Sequence, residues 1–211
     1  MSVTKAISSG DAGLLPGRRD EDWRRTDLGG LIGQMPVASP EGRAWAWDHP
    51  LAQSVDSLVE VVNGRGPSDL EVPAGETRLA AYRFLSSAEA GAHTAELWIS
   101  VGDGAVQTQV ESYEGASGGY LANANINLRL AKGARVERVV FAADHAEGVS
   151  VVDATVEPAA EARYAQTVLT TGARRQRIET RVAHPGAHAQ VRLDGAYLLE
   201  GQHNADLTTV V

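Results

Sequence analysis

Histidine, carboxylate, asparagine and arginine clusters are the residues whose spacing invites a chemical reading, and cysteine is absent. Without thiolates there is no disulfide framework, no thiol nucleophile and no zinc or iron–sulfur centre built on the chain's own sulfur. Six histidines are present. His184 and His188 stand four apart, a spacing that puts two metal ligands on one face of a helix, but Pro185-Gly186 between them opposes a helix. They read instead as polar residues around a strand turn. His203 and Asp206 form a His-x-x-Asp pair after Gly201, and His145 follows Asp144, so a carboxylate could orient either imidazole. With no nucleophile beside them, a turn or inter-coil hydrogen bond is the expected use. His203 and Asp206 remain the polar site candidates, and no catalytic, cofactor or metal residue is assigned.

Three further clusters invite a chemical reading. Asn123, Asn125 and Asn127 share one face of a strand, which a solvated surface explains more simply than a ladder between coils. The Arg174-Arg175-Gln176-Arg177 run could grip an anion, yet a short basic cluster in an acidic chain is ordinarily solvated. Gly102-Asp103-Gly104 lacks the following lysine and helix start of a phosphate loop and reads as a hairpin-type turn.

The elements that must position these residues are mostly strands. Ile126, Leu128 and Leu130 alternate with Asn127 and Arg129. Ile178, Thr180 and Val182 alternate with Glu179 and Arg181, and Ala189, Val191 and Leu193 with Gln190, Arg192 and Asp194. These are half-buried strands. Leu58 to Val62 followed by Asn63-Gly64 predicts a strand closed by a turn, since Asn and Gly tolerate positive φ. Ahead of it, a stretch to about residue 50 carries Trp23, Trp45 and Trp47, is punctuated by prolines and glycines such as Pro16, Gly17, Gly29, Gly30, Gly33, Pro36, Pro40 and Pro50, and predicts a short, loosely helical region. Ser39-Pro40-Glu41 has the form of an N-cap with proline at the first helical position. Ser86-Ser87-Ala88-Glu89 has capping-box spacing before a short helical turn.

A repeat organises the strands. Ile99 to Val110 aligns without a gap on Leu128 to Val139, with weaker copies at Val156 to Ala162 and, with one insertion, at Val182 to Ala189. The anchoring alanines, read as Ala105, Ala134, Ala160 and Ala187, lie about 26 to 29 residues apart, within the range of stacked solenoid repeats. Each unit is strand, tight turn, strand, which fits either a sandwich of hairpins or a parallel β-solenoid. The predicted division is 1–95, partly helical with a strand near 58–62, and 96–211, the β core.

Composition bounds the function. The chain has 211 residues, 43% hydrophobic and 22% charged, with a net charge of −8; it is long enough to bury a core without crosslinks. The acidic balance opposes nucleic acid and anionic membrane as partners. The N-terminus lacks a secretory apolar run, and no stretch reaches the length of a membrane span. A cytoplasmic location is expected.

The run Leu15-Pro-Gly-Arg-Arg-Asp-Glu-Asp-Trp-Arg-Arg-Thr-Asp-Leu28 resembles the N-terminal signature of SufD proteins, in the SufB/SufD family of iron–sulfur cluster assembly. Arg25 stands where many relatives carry an aromatic. The similarity continues through Leu58 to Gly64 and Leu128 to Val136, and is closest from Gly172 to Val182, Leu193 to Leu199 and Gly201 to Val211. The resemblance implies a mainly β fold, a right-handed parallel β-helix behind a short N-terminal helical region, and so selects the solenoid over the sandwich. It implies a non-catalytic scaffold subunit of the SufB–SufC–SufD assembly, in which ATP-driven rearrangement by SufC distorts the SufB–SufD pair so that iron and sulfide meet at their interface. It further implies that the cluster is assembled transiently by the full complex, with no cofactor bound by this chain.

SufD-like proteins are about twice this length, so the sequence is expected to be an N-terminal portion. The remainder would hold the rest of the β-helix, the helical segment that binds the SufC-like ABC ATPase, the interface with the SufB-like paralogue and the histidine associated with assembly. An open solenoid end is also expected to self-associate. The competing readings are a solenoid enzyme acting on polysaccharide, which needs carboxylates and arginines gathered along a solvent-facing groove, and a β-solenoid binding module.

Overall fold

Alternation along the strands decides the architecture. Ile126, Leu128 and Leu130 are at most 2% exposed, whereas Arg129 between them faces solvent, because successive strand side chains point to opposite faces. The computed structural model describes residues 2–183 and 185–211. Among the described residues, twelve strands form: β1 (Ser57–Val62), β2 (Asp69–Val72), β3 (Thr77–Ser86), β4 (Ala92–Val101), β5 (Val106–Gly115), β6 (Leu121–Leu130), β7 (Arg135–Ala143), β8 (Val149–Pro158), β9 (Arg163–Thr170), β10 (Arg175–Val182), β11 (Gln190–Tyr197) and β12 (Ala205–Val210). Each pairs in parallel with the strand two places on, giving one sheet of odd-numbered strands and one of even-numbered strands. Consecutive strands belong to different sheets, so the chain coils as a parallel β-solenoid around a core shared by both.

The repeat seen in the sequence is the pitch of this coil. Ile99 sits beside Leu128 and Val106 beside Arg135, each a step of 29 residues, as the gapless alignment requires. Later coils are shorter: Arg163 sits beside Gln190, a step of 27. The anchoring alanines are therefore Ala105, Ala134, Ala162 and Ala189, not Ala160 and Ala187. The carbonyls of the first three accept the ladder bonds of the next coil, Ala105 from Arg135 N, Ala134 from Arg163 N and Ala162 from Gln190 N. The residue before each anchor is left-handed: Gly104, Gly133, Glu161 and His188, with Gly75 starting the column. Its N–H donates to the carbonyl one place ahead of the equivalent residue in the next coil, Gly75 to Asp103, Gly104 to Lys132, Gly133 to Ala160 and Glu161 to Ala187. Gly102-Asp103-Gly104 is thus a corner between sheets rather than a hairpin turn, and Asp103 caps its neighbour by accepting from Lys132 N.

Both sheets take up strands on either side of residue 96, which falls inside β4, and the stacking starts at Ser57. Asn63 and Gly64 close β1 with positive φ, as their types predict. The N-terminal helices are short, α1 (Val3–Ser9) and α2 (Leu28–Leu31). Val3 and Ala6 of α1, Leu28 of α2 and Leu15 between them pack on Ala92, Leu121, Val149 and Val151 of the even sheet. The expected helix at Ser39-Pro40 does not form. Ser39 is buried at a bridge between Ala38 and Ala92, where its Oγ accepts from Gly91 N; that tertiary bond replaces the cap. Ser87 to Ala90 closes a single turn, and Ser87 N donates to the Asn63 side chain.

Beyond Ser39 the chain straps the outer face of the odd sheet. Arg83, 1% exposed, holds the strap through the Trp45 carbonyl at 2.9 Å and stands about 5.9 and 5.8 Å from the Trp45 and Trp47 rings. It also binds Glu114 with two nitrogens and Glu60 with a third. Burial alone would raise the Glu114 pKa, but the hydrogen bonds from Arg83 and Ser112 hold it below the usual carboxylate range.

Candidate functional site

The even sheet's outer face carries a dense polar junction. β10 and β12 place Arg177 beside Asp206 in register, both pointing outward. Asp206 accepts from Arg177 at 2.7 Å, from the Thr26 hydroxyl at 2.5 Å and from Thr208 at 3.0 Å. Arg177 also donates to Glu179 at 2.5 Å, and its guanidinium lies 4.6 Å from the centre of the Trp23 ring. Thr26 is fully buried and Arg177 is 2% exposed. Trp23 and Thr26 belong to the N-terminal run, so residues 180 apart in sequence form one clamp. Charge-assisted hydrogen bonds of this kind fix geometry as well as add energy.

Of the two polar candidates, Asp206 lies in this clamp and His203 does not. His203 Nδ1 bonds the Thr171 carbonyl at 3.2 Å, an inter-coil bond. His145 is likewise not hydrogen-bonded to Asp144. It takes the Glu147 amide on Nδ1, while Asp144 accepts from Tyr120 and Gln176, each at 2.7 Å. Burial raises the Asp144 carboxyl above its ordinary pKa. His184 lies outside the described residues, and His188 is an exposed corner residue. No group of three or more histidines and carboxylates gathers within metal-binding reach among the described residues. The arginine run divides: Arg174 is exposed, whereas Arg177 is buried and committed to carboxylates.

Two groupings were not legible in the sequence. Asn123 is 2% exposed rather than solvated, because α1 covers it: Thr4 donates to Asn123 at 2.7 Å and accepts from Asn125 at 3.2 Å. Asn123 also donates to Asp153, whose carboxyl is raised chiefly by burial. Inside the coil, Arg138 and Glu111 form a fully buried bidentate pair at 2.7 and 2.6 Å. Gln109 and Tyr113 complete the carboxylate, and Gln166 accepts from Arg138. Burial alone would lower the Arg138 pKa, but Glu111 holds it well above the ordinary value, while burial and then the Glu111 charge push the Tyr113 phenol up. Alternation marks these positions as inward-facing; nothing local says that the interior is ionic there.

Comparison with protein-family models gives a match over residues 84–211 to the SufBD core domain of SUF-system FeS cluster assembly. The chain belongs to the SufBD family. No curated protein and no solved structure matches it. The SufBD match contains the β-solenoid from Phe84 onward, with Arg138, Glu111, Arg177 and Asp206 inside it and Trp23 and Thr26 outside it. The SufBD model covers both paralogues, so the match carries the assembly system and not the choice between SufB and SufD. No described helix is long and apolar enough to cross a membrane.

Proposed function

We propose that the chain is a SufD-type, non-catalytic scaffold subunit acting in the cytoplasm with a SufB-like paralogue and a SufC-like ABC ATPase. One observation supports the SufD-type reading most: the SufD-like N-terminal signature, Leu15 to Leu28, meets the segments of closest resemblance, Gly172 to Val182 and Gly201 to Val211, in the Trp23–Thr26–Arg177–Asp206 clamp. The iron–sulfur cluster is cargo in this reading, assembled by the complex without a resident cofactor on this chain. A polysaccharide-active site needs free carboxylates in an open groove. Here Glu179 is bound by Arg177 and Arg181, Asp206 by Arg177 and Thr26, and Asp153 is buried.

The test is affinity purification of the chromosomally tagged protein from its source, with mass spectrometry and a cluster-transfer assay on the eluate. Co-purification of a SufB-like protein and an ABC ATPase, with cluster transfer lost when the protein is withdrawn, is the expected result. Recovery without either partner, or transfer unchanged on withdrawal, overturns the proposal.

A further inference from the structure

Within the Arg174-Arg175-Gln176-Arg177 run, the clamp leaves Arg175 unexplained. Arg174 is exposed, and Arg177 is bound to Glu179 and Asp206. Arg175 is half-buried. Among the described residues its guanidinium makes no ion pair and no hydrogen bond, and its Nε is covered without a partner. The residue continues a row of apolar side chains across the even sheet, Ala92, Leu121 and Val149 in register, which the N-terminal region covers. A charge drawn out of water without a counter-charge is costly, so this position calls for one.

Two further uncompensated atoms lie at the same end of the β10–β12 pair. Arg177 is 2% exposed, and while its terminal nitrogens hold the two carboxylates, its Nε is buried without a partner. Asn204 immediately precedes Ala205, the register neighbour of Gln176, and its Oδ1 is likewise buried and unpartnered. Three of the four such side-chain atoms among the described residues therefore belong to this one seam. Folded proteins leave few buried polar groups unpaired. The carboxylates at hand are already committed: Glu179 to Arg177 and Arg181, and Asp206 to Arg177, Thr26 and Thr208. Asp153, beside Glu179 in register, accepts from Asn123. Glu21 and Asp22 of the N-terminal run are exposed.

We propose that Arg175, Arg177 and Asn204 form a site for a small oxyanion of the phosphate or sulfate type, at the seam between β10, β12 and the N-terminal run. Arg175 supplies the charge that no carboxylate takes. The two Nε–H groups donate to tetrahedral oxygens, as guanidinium groups do wherever phosphate is recognised, and a half-turn of the Asn204 amide presents its NH2 in place of Oδ1. Trp23 and Thr26 hold the N-terminal run over this seam, so the anion fastens that run to the last coils. The inference goes beyond the scaffold reading and does not rest on it.

The test is made on the purified chain, with inorganic phosphate replacing chloride at constant ionic strength. Calorimetric titration should saturate at a single phosphate per chain, and a tenfold excess over the dissociation constant should raise the melting midpoint by about 3–5 °C. Arg175→Gln should abolish both effects, and Arg174→Gln, at the exposed neighbour, should keep them. Asn204→Asp places a carboxylate at the site; it should raise the midpoint in chloride and remove the phosphate response. Glycerol 3-phosphate distinguishes the source of the anion: a response equal to that of phosphate supports a phosphate carried on a larger molecule, and a weaker one supports the free ion. No response to phosphate, which leaves the seam to water alone, or a response that survives Arg175→Gln overturns the proposal. So does a response that emerges only in Glu21→Gln with Asp22→Asn, because the run's own carboxylates are then the counter-charge. Co-purification of partner proteins is read separately, so loss of the phosphate response leaves the scaffold reading standing.

Discussion

Arg138 and Glu111 place a full ion pair where the solenoid could have been aliphatic, and the pair is asymmetric in what its loss costs. Removing the arginine strands a buried carboxylate, an effect of about 3–5 kcal/mol. Arg138→Met and Arg138→Ala should therefore cost similar amounts in urea unfolding, because Met restores volume but not charge. Glu111→Gln added to Arg138→Met should recover most of the loss; a Met variant close to wild type would mean that packing, not charge, sets the effect. His93 offers a second residue-scale test. Its Nδ1 bonds Ser39 at 2.9 Å, and burial, then the Arg65 charge, lower its pKa from 6.5 to about 4. A lowered folded pKa means that the unfolded chain binds the proton first. The stabilisation is complete above pH 6.5 and drains away as pH falls toward 4. Between pH 7 and 4.5 it amounts to roughly 2–3 kcal/mol at about 1.4 kcal/mol per pH unit, and His93→Gln should flatten that part of the stability profile. Neither site was legible beforehand: His93 carries no motif, and Glu111 and Arg138 lie on strands whose pattern says only which face they occupy.

At the scale of elements, the corner column explains both what the sequence disclosed and where it misled. Gly75, Gly104 and Gly133 occupy the left-handed position, where glycine has no Cβ penalty. That made the first repeats easy to align, Gly-Ala on Gly-Ala. Glu161 and His188 occupy the same position in later coils with φ of 61° and 62°, so the glycine marker vanishes and Ala160 and Ala187, two residues short of the corner, look like the anchors. Geometry, not residue type, is retained along the column. A Cβ at Gly133 would meet nothing within 4 Å, so Gly133→Ala tests the backbone alone and should cost about 1–2 kcal/mol. Glu161→Gly should move stability the other way, by about 1 kcal/mol at most, since the Lys132–Glu161 pair it removes is exposed and long at 3.4 Å. Equal denaturation midpoints for Gly133→Ala and wild type would show that the corner relaxes and that the column does not set the coil. The Asn123 face failed for a different reason: strand alternation places it outward, and only the packing of α1 decides whether outward means wet.

Across the whole molecule, a solenoid couples each coil mainly to its neighbours, but the N-terminal region here bridges coils that do not touch. α1 sits on β6 through Thr4, Thr26 reaches β12, and Trp45 reaches β3 on the opposite sheet. Coils distant along the axis thus share one covering segment, and the clamp at Asp206 is its farthest anchor. Asp206→Asn keeps the size of the side chain but removes the charge that holds Arg177 and Thr26, a loss of about 2 kcal/mol by the usual strength of hydrogen bonds to charged groups. If the clamp ties the segment down, hydrogen exchange in Asp206→Asn should accelerate at Thr26 and Ile32, whose amides bond the Trp23 and Leu28 carbonyls, and in β12. The ladder amides of β6 and β8 should hold their wild-type protection. Acceleration spread evenly through β4 to β10 would instead mean that the N-terminal region and the coil open as one cooperative unit. No acceleration at Thr26 would mean that the apolar contacts of Leu15, Leu28 and Trp23 hold the segment without the clamp.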